Sequence, residues 1–206
     1  MYSSLSNTIQ NVISFTWPMV IISMVVIISF RIAYLIQNKE KFVLYKDLTL
    51  LVFIVYILCL FQVVTFQDNV TWSSNNFIPF KEIFRYKITS RLFIKNVLGN
   101  MLLFLPFGFF VSFYLKVEDK KWPLFLTLIT SLSIEIVQMV IGRVFDVDDI
   151  ILNIIGGLAG YYLYYVLRMV SEGLPSFCRK EWFLNILSIL LLIGLIVLIM
   201  WGWLYE

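Results

Sequence analysis

The residues best suited to chemistry in this chain are carboxylates next to or inside long apolar runs. Glu135 and Gln138 are three positions apart within one such run, so on a helix their side chains share a face. An ionised group at the centre of a membrane span costs roughly 2.5 to 3.5 kcal/mol on translocon scales, and such groups usually mark function. The pair therefore favours a ligand or proton site, and a structural hydrogen bond between helices is the alternative.

An acidic stretch follows the same run. Arg143 and Asp146 lie at its start, and a stripe of polar and small residues comes next at intervals of four, three and four. The stripe consists of Asp149, Asn153, Gly156 and Gly160. Its two glycines form a small-xxx-small pair that lets another helix approach closely. The alternative is a loop of solvated charges.

Two asparagines extend the polar set. Asn96 and Asn100 are spaced i and i+4, which predicts one face at the outer end of a third apolar run. Pro106 and Gly108 should break that run and kink the helix. The asparagines would hydrogen-bond the acidic stripe, or act only as interhelical contacts.

A basic stretch precedes the asparagines. Asn76 comes before it, and Arg91 or Lys95 would neutralise the carboxylates from across the mouth of the bundle. A cavity with both signs of charge suits a zwitterionic or phosphate-bearing head group. Clustered carboxylates also suit Mg²⁺ or Ca²⁺, so a divalent cation is an alternative that the sequence does not require.

The elements that position these residues follow from composition. The chain is 61% hydrophobic and 14% charged, with a mean hydropathy of +0.90. Soluble domains average about 45–50% apolar and 25% charged residues, so lipid is the expected solvent. The class is all-α, a polytopic transmembrane helix bundle. Its six expected spans are residues 17–37, 47–66, 96–115, 122–141, 149–170 and 182–203.

Lysine and arginine set the expected topology. They cluster in the loops after spans one, three and five, which are assigned to the cytoplasm, so both termini are expected outside. The basic stretch 68–95 is then external, and it is interpreted as an amphipathic interfacial helix. The chain divides into two N-terminal spans over 1–70, a three-span core over 71–170 and a last span over 171–206.

Taken in order, these pieces resemble the VanZ-like family, named for an accessory protein of teicoplanin resistance. The resemblance covers roughly residues 76–167. The matching pieces are Asn76 to Phe80, Asn96 to Gly108, Glu135 with Gln138, and Arg143 followed by Asp146, Asp149, Asn153, Gly156 and Gly160. The resemblance implies a small helical membrane domain of the bacterial plasma membrane. It carries these residues over as site candidates.

Four functions are compatible with this reading. In the first, an outward site binds or alters a membrane lipid or lipid-linked cell-wall precursor, or meets the lipoglycopeptide antibiotic, and lowers susceptibility to it. In the second, an enzyme acts on a lipid head group or polyprenyl phosphate, with Glu135 or Asp149 as base or metal ligand and Arg143 and Arg91 holding phosphate. The third is a purely structural membrane protein. The fourth, a proton-coupled transporter, lacks paired inverted halves.

Two classes of partner are excluded. A formal net charge of +3 is too small to indicate nucleic acid. The sequence has no GxxxxGK[ST] motif, so no nucleotide is expected.

Overall fold

The computed structural model describes residues 2–66, 75–85 and 90–204. Side chains are described for residues 17–63, 75–85, 90, 92–94, 96–194 and 197. Over the described ranges the elements are helical, apart from one isolated bridge between two loop residues. The predicted all-α class is confirmed.

The helices follow the apolar runs of the sequence. In chain order they are α1 Tyr2–Asn38, α2 Leu44–Phe66, α3 Lys81–Arg85, α4 Arg91–Phe93, α5 Gly99–Leu115, α6 Lys121–Val140, α7 Val147–Gly173 and α8 Glu181–Leu204. A π-helical turn, Ile94–Leu98, leads from α4 into α5. A 3-10 turn, Ser176–Arg179, precedes α8.

Five of these helices are long and apolar enough to cross a membrane, so the chain is a multi-pass membrane protein. The five candidate spans are Trp17–Asn38, Leu44–Val63, Asn96–Leu115, Lys121–Val140 and Val147–Gly173. They agree with five of the six predicted spans. In α8 the apolar stretch with described side chains is Glu181–Gly194, shorter than a span, so the sixth crossing stays a prediction.

The helix is not interrupted at Pro106 and Gly108, and the kink predicted there stays a prediction. Helix α5 runs unbroken from Gly99 to Leu115 with Pro106 inside it. A proline removes one backbone donor, and in a membrane bundle tight packing can hold the remaining helix together. Gly108 supplies that packing, because it lies directly against α7.

Two short helices, α3 and α4, lie where the sequence predicts one interfacial helix. Helix α3 lies within the basic stretch 68–95, and α4 lies near its end. Residues 86–89 between them lie outside the described part of the chain. A single amphipathic helix there stays a prediction, as does the placement of both termini outside.

The chain divides into two compact units, and the first combines residues 1–59 with residues 170–206. Within it, Arg31 Nε donates to Asp47 Oδ1 at 2.6 Å and links α1 to α2. The side-chain oxygen of Asn185 accepts a hydrogen bond from the backbone at the start of α2, at 3.0 Å. These polar contacts join α1, α2 and α8 near one set of helix ends.

The second unit covers residues 60–169 and holds α5, α6 and most of α7. Helices α5 and α7 touch through glycines: Gly108, Gly156, Gly157 and Gly160. A Cβ built on Gly156 would overlap the carbonyl of Met101, and one on Gly160 would overlap that of Leu105. Only a hydrogen on Cα fits there, which allows Cα–H···O contacts between the two backbones.

Helix α6 packs on α7 through a buried polar stripe. Its buried residues are Pro123, Thr127, Ser131, Glu135 and Gln138, spaced almost uniformly four apart. Thr127 meets Gly157, and Ser131 accepts a hydrogen bond from Asn153 one turn further along. The stripe therefore sets the register of the two helices. The predicted division of the sequence into 1–70, 71–170 and 171–206 stays a prediction.

Candidate functional site

A small polar cavity lies in the second unit, at the ends of α5, α6 and α7 that the topology predicts to face outside. Its volume is about 40 Å³. The polar residues that line it are Asn100, Glu135, Gln138, Arg143, Asp149 and Asn153. The apolar lining is Val63, Leu103, Phe104 and Ile134. All three residues predicted as catalytic candidates, and three predicted as ligand-binding, share this one hollow.

Glu135 is the least exposed of the cavity's charged residues. It belongs to the buried polar stripe of α6, and the residue is only 1% exposed. Its Oε2 accepts a hydrogen bond from the backbone N–H of Asp146 at 2.8 Å. The bond fixes the carboxylate against the turn that leads into α7.

Asp149 enters from the opposite helix. It lies in the first turn of α7, where the partial positive charge of the helix N-terminus favours a carboxylate. Its Oδ1 accepts a hydrogen bond from Nδ2 of Asn100, which is the second residue of α5. The predicted contact between an asparagine and the acidic stripe is therefore present, and it joins the starts of α5 and α7.

Arg143 brings the positive charge. The chain leaves α6 through Gly142, whose φ of +83° is the left-handed conformation that glycine adopts easily. The backbone N–H of Arg143 then donates to the carbonyl of Gln138 at 2.8 Å. This tight turn returns the arginine to the cavity that Gln138 also lines.

Asn153 closes the floor of the cavity. It lies one turn after Asp149 on α7, and its Nδ2 donates to Ser131 Oγ at 2.9 Å. Both residues are buried. The amide therefore positions α6 against α7 and also faces the hollow.

Asn76 and Asp146 hold each other beside the cavity and do not line it. The backbone N–H of Asn76 donates to Phe145 at 2.8 Å, and its carbonyl accepts from Val147 at 3.0 Å. Asn76 Nδ2 donates to Asp146 Oδ1 at 2.8 Å. Burial raises the pKa of Asp146 above its usual value, while the hydrogen bonds from Asp148 and Asn76 lower it. Their contacts give both residues a positioning role.

Asp148 is a positioning residue that the sequence analysis did not single out. It is 1% exposed, and its carboxylate accepts hydrogen bonds from the backbone N–H groups of Phe80, Glu82 and Ile83. The Glu82 bond is 2.7 Å long and the Ile83 bond 3.2 Å. It therefore fastens the first turn of α3 to the start of α7. No spacing rule indicates this contact, because it joins segments far apart in sequence.

Two further predicted ligand-binding residues, besides Asn76 and Asp146, are not placed at the cavity. Asn96 lies in the π-helical turn before α5, and the cavity lining does not include it. Of the predicted asparagine pair, the cavity lining therefore includes Asn100 alone. Arg91 belongs to α4, but its side chain lies outside the described residues. A binding role for either stays a prediction.

The predicted structural residues lie at the α5–α7 contact described above, with Pro106 inside α5. Three further members of the polar and glycine stripes were missed: Thr127, Ser131 and Gly157. Their signal was available, since Thr127, Ser131 and Glu135 recur every four residues. A run of four-residue intervals between polar residues in an apolar helix indicates one buried face.

Among the described residues, no group of three or more His, Cys, Asp or Glu side chains is arranged to hold a metal ion. Two carboxylates, one guanidinium and three amides line the cavity instead. This set can receive a cationic, hydroxyl-bearing or phosphate-bearing group through hydrogen bonds and charge.

The family model described as VanZ/LLP1 matches residues 53–168, more than half of the chain and the whole of the cavity. No curated protein and no solved structure matches the chain.

Proposed function

This chain belongs to the VanZ/LLP1 family, and from that premise we propose that it protects the bacterial envelope against lipophilic glycopeptides of the teicoplanin type. Its polar cavity binds, or alters, the head group of a membrane lipid or lipid-linked cell-wall precursor in the outer leaflet. The lipophilic antibiotic needs that same leaflet for its own tail. A protein that holds or changes its target there lowers susceptibility.

One observation carries the proposal. Glu135, Arg143 and Asp149 come from α6, from the following turn and from α7, and all three line a single hollow. Ionisable residues within membrane spans are expensive and usually face a cavity or a ligand path. A bundle that needed only interhelical contacts could use amides, because an amide costs less to bury than a carboxylate.

The volume limits what the cavity can take. A water molecule needs roughly 10–15 Å³ of such space. The cavity, at about 40 Å³, therefore holds about three waters or the polar end of one head group. The remainder of a lipid would stay in the bilayer, beside the apolar lining.

Susceptibility of a bacterial host tests the function. Cells expressing the protein should tolerate more teicoplanin and no more vancomycin, which lacks the lipid tail. Glu135→Gln and Asp149→Asn should each abolish the gain at unchanged protein level in the membrane. Asp119→Asn, an isosteric change in the loop before α6, is the matched control and should keep it. Full protection by both cavity variants would refute the proposal.

A membrane enzyme is the second candidate, and one observation favours it. Glu135 is almost fully buried and shares the cavity with Arg143. This pairs a carboxylate that can take up a proton with a guanidinium that can hold phosphate. Purified protein in lipid nanodiscs should then release phosphate from a polyprenyl phosphate, and Glu135→Gln should stop the release. Protection without any such turnover would leave binding as the function.

A further inference from the structure

The segment leading into α3, together with α3 itself, exposes a group of large apolar side chains. Phe77 is 66% exposed, Ile78 is 62% exposed and Phe84 is 82% exposed. These residues belong to a connection between spans and not to a span. We call residues 77–84 the aromatic turn. Exposed apolar groups of this size mark an interaction site when they are contiguous.

The aromatic turn cannot fold its apolar side chains away, because its backbone is held on both sides. Asn76 pairs with the strand-like residues before α7, and its Oδ1 also accepts from the backbone N–H of Ile78 at 3.2 Å. Asp148 accepts the N–H groups of Phe80, Glu82 and Ile83. These hydrogen bonds hold the backbone of the aromatic turn against Asn76 and the start of α7.

The backbone at Phe80 supports the same view. Its φ of +67° lies in the left-handed region, which a bulky aromatic residue adopts at a cost. Strain of this kind persists where surrounding contacts enforce it, and it clusters at functional positions. Here it leaves Phe80 half-exposed, with its ring tilted against that of Phe84 and the ring centroids 6.1 Å apart.

The position of Asp148, which holds the aromatic turn, indicates that lipid surrounds this segment. Asp148 lies in the first turn of α7, at one end of a candidate membrane span, and the end of a crossing helix meets the lipid head groups. The aromatic turn is therefore held at the level of the membrane interface. Exposed Lys81 and Arg85 lie among its apolar residues, the mixture of Phe and basic side chains that interfacial segments use.

We propose that the aromatic turn is a membrane-interface anchor, in which Phe77, Ile78, Phe80 and Phe84 insert into the surrounding lipid leaflet beside the cavity. Lys81 and Arg85 remain among the lipid head groups. The anchor and the cavity share the clamp at the start of α7, so insertion holds the cavity at the depth of the head groups. This inference stands independently of what the cavity binds.

Spin labels measure the depth directly. Cys59 and Cys178 are replaced by alanine, and single cysteines are introduced by Phe77→Cys, Phe84→Cys or Arg85→Cys for nitroxide labelling in lipid nanodiscs. Collisions with oxygen report lipid, and collisions with a water-soluble nickel chelate report water. Val140→Cys, in the exposed part of α6, supplies the lipid reference. Asp119→Cys supplies the water reference.

The labels at 77 and 84 should give the oxygen-to-nickel ratio of the Val140 reference, and the label at 85 should shift towards the Asp119 reference. Two positions are used so that one disruptive label does not decide the outcome. A water-like ratio at both 77 and 84 would overturn the proposal. Loss of collisions with both reagents would also overturn it, because protein, such as a second copy of the chain, would then cover the turn.

Discussion

The carboxylate of Glu135 and the backbone N–H of Asp146 are joined by a hydrogen bond of 2.8 Å across the turn between α6 and α7. Asp146 in turn accepts a hydrogen bond from Asn76, next to the aromatic turn. The charged group in the cavity and the exposed segment outside it are therefore two hydrogen bonds apart. A change at Glu135 should be measurable at Asp146 before it affects the rest of the bundle.

Replacement of Glu135 tests that link. Glu135→Leu removes the acceptor of the Asp146 N–H, and Glu135→Gln keeps an oxygen in its place. An unmet buried donor costs about 1–3 kcal/mol, which corresponds to roughly five- to hundredfold faster amide exchange. Hydrogen–deuterium exchange over the peptide around Asp146 should accelerate in the leucine variant only. Equal exchange in both variants would show that the bond does not protect this turn.

Asp146 should make stability depend on pH in a defined direction. Burial raises its pKa in the folded protein, so the ionised carboxylate costs free energy above that pKa, and this cost disappears as the pH falls through it. Asp146→Asn keeps the oxygen that accepts from Asn76 and cannot ionise. Its advantage in free energy of unfolding over the wild type should be largest at neutral pH. The advantage should shrink as the pH falls towards about 3.9, the ordinary aspartate value.

Denaturant titrations of the two proteins in detergent, at a series of pH values, measure that difference. Asp119→Asn is the matched control, because the exposed Asp119 has a lowered pKa, chiefly through its hydrogen bond from the backbone of Lys121. Because a lowered pKa stabilises the folded protein above that pKa, any deficit in free energy of unfolding of Asp119→Asn relative to the wild type should be present at neutral pH. That deficit should shrink as the pH falls. An Asp146→Asn advantage that grows at acid pH would contradict the assignment.

Asp148 should control access to the aromatic turn. Asp148→Ala leaves three backbone donors without their acceptor, and each buried donor left unmet costs about 1–3 kcal/mol. Trypsin should therefore cut after Lys81 and Arg85 faster in Asp148→Ala than in the wild type, with cleavage sites read by mass spectrometry. Asp119→Ala should leave the rate at those two sites unchanged. Equal cutting in all three proteins would mean that Asp148 does not hold the segment.

The glycine contact between α5 and α7 predicts a sharp difference between two helical glycines. Gly156→Ala would force a methyl group into the Met101 carbonyl, and overpacking of this kind costs about 1–3 kcal/mol or more. Among the described residues, nothing lies within 4 Å of the Cβ position at Gly194 in α8. Gly194→Ala should therefore be neutral, or gain up to about 1 kcal/mol of helix propensity. Free energies of unfolding in detergent distinguish the two variants.

Thr127 offers a test of the polar stripe. Its hydroxyl is buried and, within the described part of the chain, has no hydrogen-bond partner. Thr127→Val replaces the hydroxyl by a methyl group of similar size, and removing an unmet buried polar group is worth up to about 1–3 kcal/mol. The valine variant should match or exceed the wild type in free energy of unfolding. Ser131→Ala, which removes the acceptor of Asn153, should lose stability.

The amino-acid pattern was sufficient for the coarse architecture. Continuous apolar runs with terminal charges predict spanning helices, because lipid accepts no backbone without internal hydrogen bonds. The intervals from Asp149 to Gly160 predicted which side of α7 faces its neighbours. Helical periodicity is a local property, so a sequence reveals it directly. The same reasoning would have extended from Glu135 to Ser131 and Thr127 had the four-residue interval been followed backwards.

Sequence alone therefore determined the helices, the lipid solvent and the candidate side chains for a polar site at one end of the bundle. Only the tertiary structure decided which of them share a hollow, why Asn100 meets Asp149 while Asn96 lies outside the lining, and that Asp148 holds a segment more than sixty residues earlier in the chain. The reason is physical. These contacts depend on helix register, on a π-helical turn and on one left-handed glycine, which are set by packing between distant segments and leave no periodic trace in the sequence.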